Sequence, residues 1–309
     1  MQNDDAIDLR TIIGSLLDLI AYTPSNNPQI VKNSTEALEK AVDKEVQSWN
    51  VDDGHNGALF STISKKAVTL IQFWYSHLSF EAKLAFSLYA WFFFYIDDGA
   101  GNLSHQDYQR LLLLGCPQRD PALAHYHEVL GGLYEYWDPV CANAMACAAF
   151  EFVSGTVLEN RPDVTAMDIR PSAAGWPKYL RAKSGLGPAA ACAVFPKQTH
   201  PDITSYIQVL PDIDEFSCLA NDILSFYKEE LEGETTNYVQ VRSKTTLKHP
   251  KRVLVEMVRE VADLHERIEA TLEKQPEALA AWRAFENGFI AFHLLMKRYR
   301  LSELGFGCS

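Results

Sequence analysis

Apolar residues recur three and four positions apart along almost the whole chain, the spacing that buries one face of an α-helix. Ile7, Ile12, Leu16, Leu17 and Ile20 open the pattern, and Pro24 and Pro28 end its first segment. The spacing predicts helices over 5–22, 34–49, 59–77, 80–98, 104–114, 121–136, 139–159, 176–184, 187–195, 202–230, 250–273 and 276–302. Strand signals are scarce: Asn56–Gly57 lies in a polar loop, not between alternating apolar runs. A loop with Pro162 and Pro171 covers 160–175, and a polar stretch covers 231–249. No repeat, low-complexity tract or linker divides the series, which predicts a single all-α domain over residues 1–309. The segments 85–96 and 141–158 are apolar nearly all round and belong at the centre of a large bundle.

Charge and composition exclude several classes. With 28 Lys+Arg against 40 Asp+Glu the net charge is −12, so binding to nucleic acid or to an anionic membrane is disfavoured. The 47% apolar content, with 16 Phe, 13 Tyr and 6 Trp, excludes a disordered chain. The longest apolar run, Ala85–Ile96, is well short of the ~20 residues that span a bilayer. The N-terminus MQNDDAIDLR shows no signal-peptide pattern. Six cysteines form no CxxC pair and read as reduced thiols. A cytoplasmic protein without stable membrane association is expected.

The segment AWFFFYIDDGAG, residues 90–101, breaks a helical rule. Asp97 and Asp98 end a very apolar helix, where the macrodipole already disfavours negative charge, before Gly99 and Gly101 stop it. The pair reads either as solvated end-of-helix residues or as a divalent-cation site at the mouth of an apolar pocket.

The segment LANDILSFYKEE, residues 219–230, is more specific. Asn221, Ser225 and Glu229 are spaced i, i+4, i+8, which stacks an amide, a hydroxyl and a carboxylate on one helical face. All are hard oxygen donors, the set that suits Mg²⁺. The neighbours Leu219, Ile223, Leu224 and Phe226 make this a core helix, so the donors need a partner. Asp222 points about 100° away from that face.

The string NDILSFYKE, which carries NDxxSxxxE over Asn221–Glu229, resembles the second metal motif of class I terpene synthases, and most of all the trichodiene synthase family of fungi. Asp97–Asp98 falls where that family has its aspartate-rich motif, although the acid usually found three or four residues later is replaced by Ala100 and Gly101. YLRAKSGLG, residues 179–187, matches the segment with a diphosphate-sensing arginine and gives Arg181. KRYRLSEL, residues 297–304, resembles the C-terminal Arg-Tyr motif and gives Arg298 and Tyr299.

The resemblance implies a class I terpenoid synthase bundle around a central apolar cavity. It implies a Mg²⁺-dependent sesquiterpene synthase that ionises and cyclises farnesyl diphosphate and releases diphosphate. Three Mg²⁺ ions are implied, with Asp97 bridging two and Asn221, Ser225 and Glu229 chelating the third. Arg181, Lys228, Arg298 and Tyr299 would bind the diphosphate, with Asp98 and Asp222 as supports. Phe93, Phe94, Phe292 and Leu295 are the candidate cavity wall, shielding a carbocation from water and facing it with aromatic rings. The stretch 231–249, with Arg242, Lys244 and Lys248, reads as a lid or as an exposed loop. His293 reads as a core histidine or a base. A homodimer is compatible with these expectations. The alternatives are a prenyltransferase of the same fold, which would show two DDxxD motifs, and a non-catalytic protein that has kept the fold.

Overall fold

Proline sets where several helices begin. Pro139, Pro211, Pro250 and Pro276 each sit in a first turn, where a missing N–H is not needed. The computed structural model describes residues 8–51, 57–98 and 103–307. Over these residues the chain forms helices and no strand. In order they are α1 (Leu9–Leu19), α2 (Lys32–Ser48), α3 (Gly57–Trp74), α4 (Phe80–Asp98), α5 (Tyr108–Leu113), α6 (Tyr126–Tyr136) and α7 (Pro139–Glu159). There follow α8 (Pro162–Thr165), α9 (Trp176–Ala182), α10 (Leu186–Ala193), α11 (Leu210–Leu231), α12 (Tyr238–Thr246), α13 (Pro250–Leu272) and α14 (Pro276–Leu295). Residues 5–7, Asn56, Gly99, Ala100, Gly101 and Cys308, which entered the sequence reading, lie outside the described residues.

Six helices close a ring. α3 packs on α4, α4 on α7, α7 on α10, α10 on α11, α11 on α14, and α14 back on α3. α1, α2, α6 and α13 lie outside it, each against a member of the ring. The residues explain the layering. α13 is amphipathic, with Leu254, Met257, Val258, Val261, Leu264 and Ile268 buried on one stripe. α4 buries residues on most sides, including Phe86, Tyr89, Trp91, Phe92 and Phe94. α7 is long and apolar enough to cross a membrane by length and composition, but its residues Cys141, Met145, Ala149 and Phe152 are buried in the bundle. Polar tips inside the ring find carbonyls: Tyr75 donates to Ala190 O at 3.0 Å, Tyr89 to Met145 O at 3.2 Å, and Trp137 to Ala193 O at 3.2 Å.

The structure corrects three predicted segments. The last helix stops at Leu295, not 302: Met296 is extended (φ −77°, ψ 121°), and two 3₁₀ turns follow, separated by Arg300 at φ +59°. Gly307 then lies so close to Leu294 O that a Cβ there would meet it at 2.2 Å, so the chain has doubled back onto α14. The stretch 231–249 contains α12, with Val239, Val241 and Thr245 buried and Arg242 paired with Glu260; it is neither wholly exposed nor a bare loop. The predicted helix 202–230 begins only at Leu210, after two 3₁₀ turns.

The α3–α14 contact is tight because Gly288 has no side chain. A Cβ there would lie 1.9 Å from Phe73 O and 2.8 Å from Phe73 C, both backbone atoms. Gly288→Ala is therefore expected to cost about 2–3 kcal/mol as the two helices are forced apart. Urea unfolding would read this as a lower midpoint at unchanged slope, and an unchanged midpoint would contradict it.

Candidate active site

The ends of α4, α7 and α11 converge at one end of the ring on a cavity of about 400 Å³. Asp97, Glu159, Asn221, Glu229 and Glu234 line it, with Arg181, Lys244, Phe93 and Phe152. An apolar pocket of about 40 Å³ lies beyond, lined by Trp74, Tyr75, Phe86, Tyr89, Phe93 and Phe94 among others. Phe93 lines both spaces and is stacked on Phe152 at 3.9 Å, so it forms the wall between them. The predicted central apolar cavity is thus divided, with the larger space at its polar end.

On α11, Asn221, Asp222 and Glu229 line the cavity, and Ser225 is not among its lining residues. Ser225, between them, is 3% exposed and its Oγ has no hydrogen-bond partner. Serines inside helices usually bond back to the carbonyl one turn earlier, and Ser217 of the same helix does so, to Ile213 O at 2.7 Å. Ser225 does not, and neither do Ser64 on α3 and Ser87 on α4; what sets Ser225 apart is its place one turn from both Asn221 and Glu229, and a buried hydroxyl left unpaired costs roughly 1–3 kcal/mol. An oxygen acceptor held free on this face, between an amide and a carboxylate, fits a hard cation. Among the described residues no three His, Cys, Asp or Glu side chains form a metal cluster; the donor set here mixes amide, hydroxyl and carboxylate.

Asp222 also borders the cavity, but its carboxylate is taken up by Arg181. Arg181 Nε donates to Asp222 Oδ2 at 2.9 Å, and the guanidinium also reaches Ser184 Oγ (2.8 Å), Cys218 O (3.1 Å) and Asn221 Oδ1 (3.3 Å). Both partners are nearly buried, and burial pushes the Asp222 carboxyl up to about 7 against the pull of Arg181. Arg181 is brought here by a sharp turn between α9 and α10. Gly185 makes it at φ +61°, where a Cβ would meet Ala148 O at 2.2 Å.

Across the cavity, Asp97 keeps solvent access but carries no hydrogen bond or ion pair among the described residues. Burial of the carboxyl and the charge of Asp98 raise its pKa, while Arg298, Lys66 and Lys228 oppose the rise. Asp98 points elsewhere and accepts from Lys66 Nζ at 2.8 Å. Lys228 lies 4.0 Å from Glu229 and 3.7 Å from Glu232. Arg298 stacks over Tyr299 at 5.3 Å, and burial pushes the Tyr299 phenol up to about 12. The Arg298–Tyr299 turn packs on α11. Behind it His293 is fully buried, and burial lowers its pKa to about 3, so it is neutral.

Of the predicted wall, Phe93 and Phe94 face the two spaces described. Phe292 does not: it is buried edge-on to Phe73, Trp74 and Tyr299. Leu295 does not either. It ends α14, 39% exposed, beside the returning C-terminal segment. Both lie within α14, which ends before Tyr299, so their helical face does not run on to the Arg298–Tyr299 turn. Lys244 lines the cavity and donates to Thr235 O, whereas Lys248 pairs with Glu256 outside it. Sequence reasoning missed Glu159 and Glu234. Glu159 carried a usable signal, because like Asp97 it is an acid at the C-terminal end of an apolar helix.

A ring of helices with oxygen donors and cations at one end and aromatic rings behind them defines a class, the all-α terpene cyclases. The family model described as Trichodiene synthase (TRI5) matches residues 12–305, and the chain belongs to that family. It is 34% identical over 237 residues to a terpene synthase, BipA, of Cochliobolus sativus, covering 76% of this chain and 73% of that one. It is 27% identical over 287 residues to longiborneol synthase CLM1 of Gibberella zeae, covering 91% and 84%. It is 31% identical over 234 residues to monoterpene synthase 25 of Postia placenta, covering 74% and 70%. Among solved structures, a variant of cucumene synthase superposes with a TM-score of 0.60 at 11% identity, covering 85% of this chain and 96% of that one, a likeness of fold.

The acids of the cavity make stability depend on pH. Burial and the charge of Glu229 push Glu234 up to about 7. Between the ordinary carboxylate range and pH 7 the folded chain therefore keeps a proton that the unfolded chain has lost. Glu234 thus favours the fold at low pH and loses that contribution as pH rises through 7. Glu234→Gln should gain stability relative to the parent between pH 5 and pH 8, measured by urea unfolding at both. An equal difference at the two pH values would contradict this.

Proposed function

We propose that the chain ionises and cyclises farnesyl diphosphate to a sesquiterpene, releasing diphosphate, with Mg²⁺ bound. The observation that carries this reading is the buried, unpartnered Ser225 hydroxyl on one face with Asn221 and Glu229. These three would hold one ion and Asp97 would hold the others, three being the number that the resemblance implies. The chemistry such ions supply is stabilisation of the negative charge that develops on a leaving diphosphate.

The rest of the work falls to the chain. Lys228 and Arg298, both near enough to Asp97 to shift its titration, place fixed positive charge where the diphosphate charge grows. Arg181 reaches Asn221 Oδ1 only at 3.3 Å. A ligand that takes that oxygen releases an N–H of Arg181 to donate to phosphate, so the two events are coupled. Tyr299 stays protonated and remains a donor. Phe93, Phe94 and Phe152 put aromatic rings beside the space for an allylic cation and exclude the water that would quench it early. The cavity volume lies within the ~300–1,000 Å³ usual for small-molecule sites.

The relatives' names include both a monoterpene synthase and longiborneol synthase, so chain length is the point to test. Gas chromatography–mass spectrometry of products from C10, C15 and C20 diphosphates should show turnover fastest with C15 and none in excess chelator. A preference for C10 would overturn the substrate, and undiminished turnover in chelator would overturn the metal. Asp97→Asn should slow turnover roughly 10²–10⁴-fold. Asp98→Asn, which removes the charge paired with Lys66 and with it the repulsion that raises the Asp97 pKa, should be milder. Near-parental rates for Asp97→Asn would mean the first metal site lies elsewhere.

A further inference from the structure

Asn221 can offer a cation only Oδ1, because its Nδ2 is a donor. The two ends of the amide are nearly equal in size, so packing alone does not choose between them, and a hydrogen bond has to. Two groups make the choice: Arg181 donates to Oδ1 at 3.3 Å, and from the far side of the ring His293 on α14 meets the NH₂ end at the shorter distance of 2.9 Å.

His293 Nδ1 lies 2.8 Å from Phe289 O, the carbonyl one turn earlier in its own helix. A carbonyl oxygen has no proton to give, so the ring proton sits on Nδ1. A neutral imidazole protonated there has only a lone pair on Nε2. That nitrogen is 2.9 Å from Asn221 Nδ2. The lone pair must be met by the NH₂ end of the amide, and Oδ1 is thereby turned away from His293, towards Arg181 and the cavity. The imidazole is itself held by rings: Tyr299 at 4.5 Å, Phe289 at 4.6 Å and Trp74 at 6.2 Å between centroids. It has no access to solvent.

We infer that His293 is a positioning residue, which fixes the orientation of the Asn221 amide so that its oxygen faces the cation. The inference rests on the reading of Asn221 as a metal donor. It removes His293 from the candidate bases, since its only lone pair is already bonded to Asn221 and faces the core. It also links the Arg298–Tyr299 turn to the metal face, because Tyr299 packs, tilted, against the ring that sets the amide.

The test uses the full chain and Mn²⁺ as the probe. Binding is followed by electron paramagnetic resonance in the presence of inorganic diphosphate, with thermal unfolding as the check on folding. His293→Phe should weaken Mn²⁺ binding roughly 10- to 100-fold, the usual loss when a ligand's supporting hydrogen bond is removed. In an Asn221→Asp background the same change should have little effect, because a carboxylate presents an oxygen in either orientation. A role confined to packing would give equal losses in both backgrounds, and that result, or no loss in either, would overturn the inference. If Asn221→Ala also left Mn²⁺ binding unchanged, the metal reading itself would fail, which is a separate outcome. Should His293→Phe not fold, ¹⁵N spectra of the parent's histidines decide: His293 must carry its proton on Nδ1 with Nε2 bare, and a proton on Nε2 would overturn the inference.

Discussion

The polar face of α11 is the constraint on which the rest of the structure depends. Closing the helical ring strips water from an amide, a hydroxyl and two carboxylates on an inner helix, and each then needs a new partner or carries a penalty. Arg181 answers Asp222, His293 and Arg181 answer Asn221, and Lys228 lies near Glu229. Ser225 Oγ is left without an answer inside the protein. The arrangement of the neighbouring elements follows from these needs. The turn at Gly185 brings α9, with Arg181, against α11, and α14 stops at Leu295 so that Arg298 and Tyr299 fold over the same end.

Local charge separates from overall charge in this molecule. A chain of net charge −12 gathers Lys66, Arg181, Lys228, Lys244 and Arg298 around one end of its helical ring. They sit among Asp97, Glu159, Glu229 and Glu234, several of which have raised pKa values because burial and like charge disfavour their ionised forms. Such a site gains from any cation that binds it, and with cations bound it becomes a site for an anion. Membership of the trichodiene synthase family is consistent with that electrostatic pattern. Glu159 lines the same cavity as Asp97, and the Asp97 charge adds to the rise in its pKa.

Much of this was legible in the sequence where burial and period coincide. α4 and α7 run as the apolar spacing predicts, because helices buried nearly all round leave few alternatives. The i, i+4, i+8 donor face was legible because helical geometry alone determines it. Elements whose form depends on distant contacts were not legible. Leu301 continues the apolar spacing of α14, yet Met296 is extended and Arg300 has a positive φ, since the tail returns to pack on Leu294. α12 was hidden because Val239 and Val241 are two apart in a polar stretch and become buried only on packing against α9, α11 and α13. The contact of His293 with Asn221 joins residues 72 apart, and no local pattern encodes it.

The central claim is that the α11 face and the end of α4 hold divalent cations on opposite sides of one cavity. Anomalous diffraction from crystals grown with Mn²⁺ and inorganic diphosphate tests it most directly. The account predicts anomalous peaks within bonding distance of Asn221 Oδ1, Ser225 Oγ and a Glu229 carboxylate oxygen, and further peaks at Asp97, with Asp222 still on Arg181. Manganese bound elsewhere, or a Ser225 hydroxyl still without a partner when diphosphate is present, would contradict it.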